Sequence, residues 1–322
     1  MKNSIVKSLK SRKWHKKLSA AIAMGLLCGG MANSTDVMAA EYTDLLKSDA
    51  TAYDSVRQED GNYLFKEDVA ISVDGTSGVA VNPSMMKPGI VAGIYADKSF
   101  SIDAGDKSIT IDAAAIGEDT TGAWTYNYSA SAIYVDSAKE LTVTVGDLNL
   151  KAKNTHLMSR GGTPSASGLR VGQNGKAVIH GNVNIESVYE NTNGNSKEGA
   201  FGLYADTGSS IDIDGDLTVK TSENVASSRD TVKGTGVLGK RAIINIGGAF
   251  NMETTNAYRN GTYLYAFAQG GSINIDHGSM TYTQAGSEER PGTPIGIGVG
   301  NGGIVSVGMN EALDGANGRT VV

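Results

Sequence analysis

The chain has 322 residues, 42 of them Gly and only 5 Pro, a balance that fits neither collagen nor a Pro-rich linker. With 40% hydrophobic and 19% charged residues, it is too evenly mixed for a disordered polyelectrolyte. A formal charge of −6 argues against nucleic acid as a partner, because that needs a basic surface.

Residues 1–17 carry seven Lys or Arg and no acid, and a mostly apolar run follows from Leu18 to Gly30. Small residues then lead to Val37-Met38-Ala39, with Ala40 next. This order predicts a secretory signal over 1–39, cleaved between Ala39 and Ala40. The apolar run is shorter than the ~20 residues of a spanning helix. The single cysteine, Cys28, lies inside it, so the exported part has no disulfide and depends on core burial and hydrogen bonds. Cleavage would remove seven of 28 basic and one of 34 acidic residues, leaving 21 against 33, a net charge of −12. Residues 40–66 are expected to form a cap or linker, with Leu45, Leu46, Tyr53 and Val56 on a short helix or capping segment.

From residue 67 to 322 one element recurs. Its anchors are Ile94, Ile133, Leu169, Leu203, Val237, Leu264 and Ile297, separated by 39, 36, 34, 34, 27 and 33 residues. After Leu203, apolar residues stand at +8 and +10 (Ile211, Ile213) and at +14 and +16 (Leu217, Val219). The same offsets from Leu169 give Ala177, Ile179, Val183 and Ile185. After Ile133 the second pair (Leu148, Leu150) comes one residue late, and after Val237 the pairs Ile244/Ile246 and Phe250/Met252 come one early. Alternation within each piece, as in Ser210-Ile211-Asp212-Ile213-Asp214, reads as strand. Gly208 and Gly215 sit where corners are needed. Such a unit cannot bury its apolar face alone, so an all-β parallel β-helix (β-solenoid) is expected, with three short strands per rung of about 34 residues. An antiparallel sandwich would not explain why the same offsets recur from unit to unit.

The chemical motifs are weak. Gly298-x-Gly300-x-x-Gly303 has the form of a dinucleotide fingerprint, but the strand-like Ile304-Val305-Ser306-Val307 follows where a helix is required. Asp212, Asp214, Asp216 and Glu223 match part of a calcium loop, yet Leu217 stands where the turn needs Gly. Three histidines follow the leader, His156, His180 and His277, and none has a metal-ligand spacing. No Gly-x-Ser-x-Gly elbow occurs. No catalytic, cofactor or metal residue is therefore assigned, and a non-enzymatic role is expected. The position after each anchor is more suggestive: Tyr95, Tyr134, Arg170, Tyr204, Leu238, Tyr265 and Gly298. With the anchors inward, these side chains would line one outer face. Tyr95, Tyr134, Arg170, Tyr204 and Tyr265 are the candidate ligand-facing residues, for a glycan or protein, or simply a stabilising stack.

The long basic leader and the disulfide-free, Gly-rich rungs resemble the passenger domain of a type V autotransporter, of the pertactin-like adhesin type. The resemblance implies a right-handed β-helix at the cell surface or outer membrane, or released outside the cell. It also implies adhesion to host or bacterial surface glycans or proteins, and a C-terminal outer-membrane translocator barrel. The aromatic-girdled alternating strands of such a barrel are not present in residues 1–322, so the barrel is expected downstream or as a separate chain. The alternative is a secreted β-helix enzyme, a lyase or hydrolase acting on polysaccharide. It would need carboxylates or calcium beside a basic residue in one groove, whereas the acids here are spread over several rungs.

Overall fold

The computed structural model describes residues 35–38, 56–59, 62–74, 90–115, 129–155, 165–191, 199–225, 233–256, 262–284 and 293–308. Every described element is a β-strand, and all pairings but one are parallel. The chain repeats a three-strand path, and in the middle coils each strand pairs with its equivalent one coil earlier and one coil later.

The first strand of the path recurs as β5 (Ile90–Ala96), β8 (Ser129–Val135), β10 (Ala166–Val171) and β12 (Ala200–Ala205). It continues as the opening parts of β15 (Lys233–Asn256) and β16 (Thr262–Gln284), and as β17 (Thr293–Gly300). The second appears as β3 (Asn62–Phe65), β6 (Phe100–Asp103), the start of β9 (Glu140–Asn154), the start of β11 (Lys176–Asn191), β13 (Ser210–Ile213) and finally β18 (Ile304–Val307). The third includes β1 (Thr35–Met38), β4 (Val69–Asp74), β7 (Ser108–Ala115), the ends of β9 and β11, and β14 (Leu217–Val225). The strands of β15 and β16 run on through all three faces.

Alternation explains the core. Ile211 and Ile213 stand over Ala177 and Ile179, and Leu217 and Val219 over Val183 and Ile185. All eight are buried, and each large aliphatic removed from water contributes about 1.5–3 kcal/mol. The early pairs after Val237 come from a first corner one residue shorter, since Ala205 pairs with Gly239 but Ser210 with Ile243. The late pair after Ile133 becomes the register shift between His180 and Asn182, at the second corner. At this corner side chains replace the broken ladder. Asp68 accepts the Ser108 N–H (2.8 Å), Asn182 that of Asp216 (3.1 Å), and Asp216 that of Ala249 (2.8 Å). Gly208 takes a positive φ of 75°. Gly215 serves close approach instead: a Cβ there would lie 2.4 Å from the Gly181 carbonyl oxygen.

Of the short helix or capping segment expected around Val56, Val56–Glu59 is not the helix; it is strand β2, paired antiparallel with β3. One anchor is corrected. The sixth anchor is Ala266, not Leu264, because Val237 pairs with Ala266 and Ala266 with Ile297. Leu264 pairs with Thr235, two positions earlier on the path. The expected leader lies outside the described residues except for Thr35–Met38, which pair with β4 as a parallel strand.

Candidate functional site

The outward row on the first face is a continuous column. Tyr95 pairs with Tyr134, Tyr134 with Arg170, Arg170 with Tyr204, Tyr204 with Leu238, Leu238 with Phe267, and Phe267 with Gly298. Four of the five candidate ligand-facing residues are thus brought together. Tyr265 is not among them. The anchor shift hands its place to Phe267 and turns Tyr265 inward, where it is buried.

Tyr265 occupies the inward column held two and three coils earlier by Gly202 and Gly168. There a Cβ would approach the Val219 methyls to 2.7 Å and the Ile185 methyl to 2.4 Å. A tyrosine fits because the third face gives way. Gly278 pairs with Phe250, and a Cβ on Gly278 would lie 2.2 Å from the Tyr265 hydroxyl. The Tyr265 ring stacks on Phe250 at 4.0 Å and 23°, and its hydroxyl donates to the Phe250 carbonyl. Burial pushes the Tyr265 pKa well above the usual phenol range.

The outer column changes character along the axis. In the earlier coils Tyr95 and Tyr134 stack at 5.4 Å and 18°, and Tyr95 donates to Asp136 (2.7 Å). Burial raises both phenol pKa values, and the Asp136 hydrogen bond adds to the rise at Tyr95. Both rings and Arg170 are half-buried. Further on, the Arg170 guanidinium lies 4.5 Å from the Tyr204 ring centroid, and Lys240 Nζ lies 4.8 Å from it and donates to the hydroxyl. Tyr204, only 2% exposed, joins Phe201, Leu238 and the partly buried Phe267 in a small outer apolar cluster. The column therefore has an accessible part (Tyr95, Tyr134, Arg170) and a closed part. Within the accessible part the stacked rings face each other. A partner meets ring edges, hydroxyls and the guanidinium, with Asp97, Asp136 and Asp206 beginning the corner that follows.

Other charged groups form rows that the sequence reading missed. On the third face Asp112, Lys151, Glu186, Lys220 and Glu253 stand in register with alternating sign. Two contacts close at 3.4 Å (Lys151–Glu186) and 3.3 Å (Lys220–Glu253). Burial raises the Asp112 pKa, with Lys151 partly opposing it. The acids of the calcium-like pattern do four separate jobs. Asp212 accepts from Asn245 (2.6 Å), Asp214 from His180 and the Gly181 N–H, Asp216 from Ala249, and the buried Glu223 from the Ala200 N–H (2.7 Å). Burial would raise the Asp214 pKa, but its bonds to His180 and Gly181 outweigh that and hold it below the usual carboxylate range. Among the described residues no three His, Cys, Asp or Glu cluster as metal ligands. His277 pairs with Asp276 at 2.8 Å, and His156 lies outside the described residues. Gly298 and Gly300 belong to strand β17 and Gly303 leads into strand β18, so no helix follows the glycines. Compared with known proteins, the chain matches no family model, no curated protein and no solved structure.

Proposed function

We propose that the chain is an exported, surface-associated β-helical protein that works by binding, the passenger of an autotransporter-like system. The observation that carries this reading is the accessible part of the outer column, Tyr95, Tyr134 and Arg170, held in register on a rigid sheet. Its chemistry of ring edges, hydroxyls, one guanidinium and neighbouring aspartates suits a polar, extended partner such as a surface glycan or protein segment. A right-handed coil is favoured by the strong preference of parallel crossovers for that hand. A repeat near 34 residues is favoured by successive advances of 39, 36, 34, 34, 29 and 31 along the anchor column. The leader pattern supports export, and a translocator barrel, in cis or as a partner, would complete the assembly.

The test is binding of the purified protein to host and bacterial cell surfaces and to a glycan panel. Tyr134→Ala and Arg170→Ala should each lose most binding while melting almost as before. Unchanged binding in both variants would overturn the site. The polysaccharide-enzyme reading has one observation of its own, the hydrogen-bonded His180–Asp214 pair beside Thr144 on the preceding coil. Growth of unsaturated-product absorbance on pectin or alginate, abolished by His180→Ala, would favour it instead.

A further inference from the structure

We infer that the export peptidase cuts after Ala32 and not after Ala39, so that Thr35–Met38 stays in the exported protein as its first strand. This rests on the leader reading above and sharpens it. Three observations converge. Thr35, Asp36, Val37 and Met38 pair in parallel register with Val69, Ala70, Ile71 and Ser72 of β4. The opposite edge of β4 is already taken by β7, so β1 covers the edge that remains. Val69 and Ile71 are both buried there, and cleavage between Ala39 and Ala40 would leave that edge as an open template for foreign strands.

The second observation is in the residues themselves. Gly30-Met31-Ala32 puts small side chains at both positions that the peptidase reads, whereas Val37-Met38-Ala39 puts a β-branched valine at the first of them. The third is distance. Ala32 follows the end of the apolar run at Gly30 by two residues, while Ala39 follows it by nine. In a secretory signal the small-residue cleavage site follows the apolar stretch. The step is hydrolysis: water adds across the Ala32–Asn33 amide, its hydroxyl going to the Ala32 carbonyl carbon and its proton to the Asn33 nitrogen. Asn33 then carries the new amino terminus, two residues ahead of β1.

Intact mass and N-terminal sequencing of the full-length chain after export decide the matter. A terminus at Asn33 is expected. A terminus at Ala40 would overturn this inference and leave the leader intact, whereas an unprocessed Met1 would remove both. A second measurement reads the strand itself. Chains starting at Asn33 and at Ala40 are purified, and hydrogen exchange is followed over Val69–Asp74. Exchange about tenfold faster in the shorter chain, the equivalent of one net hydrogen bond, is expected. Equal protection in the two chains would mean that β1 covers nothing.

Discussion

The first and the last described coils are covered differently. At the start, β1 lies along β4 and the β2–β3 hairpin brings Tyr63 and Phe65 onto the first coil. Tyr63 is 1% exposed and meets Phe100 edge-on at 5.3 Å. At the far end the same columns that are sealed in the middle open to solvent. Leu169 and Val171 are 0% exposed, whereas their counterparts Ile297 and Val299 are 38% and 59% exposed. Residue type is similar along each column, so burial here is set by having a coil on both sides. An aliphatic in this repeat contributes little until the next coil covers it.

That contrast can be broken most directly in the core. Ile213→Asp puts an unpaired charge in the sealed interior and should cost more than about 4 kcal/mol. Leu203→Ala should cost about 2–5 kcal/mol, and Ile297→Ala, in the same column at the open end, under about 1 kcal/mol. Urea denaturation checks all three, and equal losses for Leu203→Ala and Ile297→Ala would contradict position-dependent burial. The glycine column sharpens the point without changing polarity. Gly202→Ala places a Cβ 2.5 Å from the Gly236 carbonyl oxygen and should cost about 1–3 kcal/mol. Gly296→Ala meets nothing within 4 Å and should leave the melting temperature where it is.

Near the open end, Tyr265 reports whether the interior is still dry. Its folded pKa is raised by burial, so its contribution is whole below the unfolded value near 10. That contribution fades as pH climbs towards the folded value. Tyr265→Phe should lose about 1 kcal/mol at neutral pH and decline less steeply above pH ~10. A parallel decline in both proteins would mean that water already reaches the phenol. The smallest effect belongs to the alternating-charge column. Lys220→Glu faces Glu186 and Glu253 and should cost about 0.5 kcal/mol, partly restored by adding Glu253→Lys. A double-mutant cycle in low salt reads it, and no coupling would make the column decorative.

Much of the fold was legible because inward positions must be apolar and their offsets repeat. Ile211, Ile213, Leu217 and Val219 announce the path, and Gly208 its turn. What failed was local to one coil. Both Leu264 and Ala266 fit an anchor by type, and the larger side chain misled. The deciding quantity was space, since Gly278 vacates the volume that Tyr265 fills. The charge column was hidden for another reason. Its members lie 39, 35, 34 and 33 residues apart, and only the actual register, bulges included, shows that opposite signs meet. The outer column was half legible. Its alignment followed from the anchors, but the closing of Tyr204 depends on Lys240, two positions along the next coil, and on Phe201, three positions earlier on its own strand, as well as on Arg170 in register beside it.

The coil-by-coil pairing also sets how the described residues would yield to a pull. Among the described residues each turn grips only its neighbours, so tension applied after Val307 would peel β17 and β18 from β16 before disturbing the sealed middle. The chain should then pay out like thread from a spool, in successive steps of roughly 100 Å of contour per turn released. The amino-terminal turns, clasped by β1 and the hairpin, would be the last to let go.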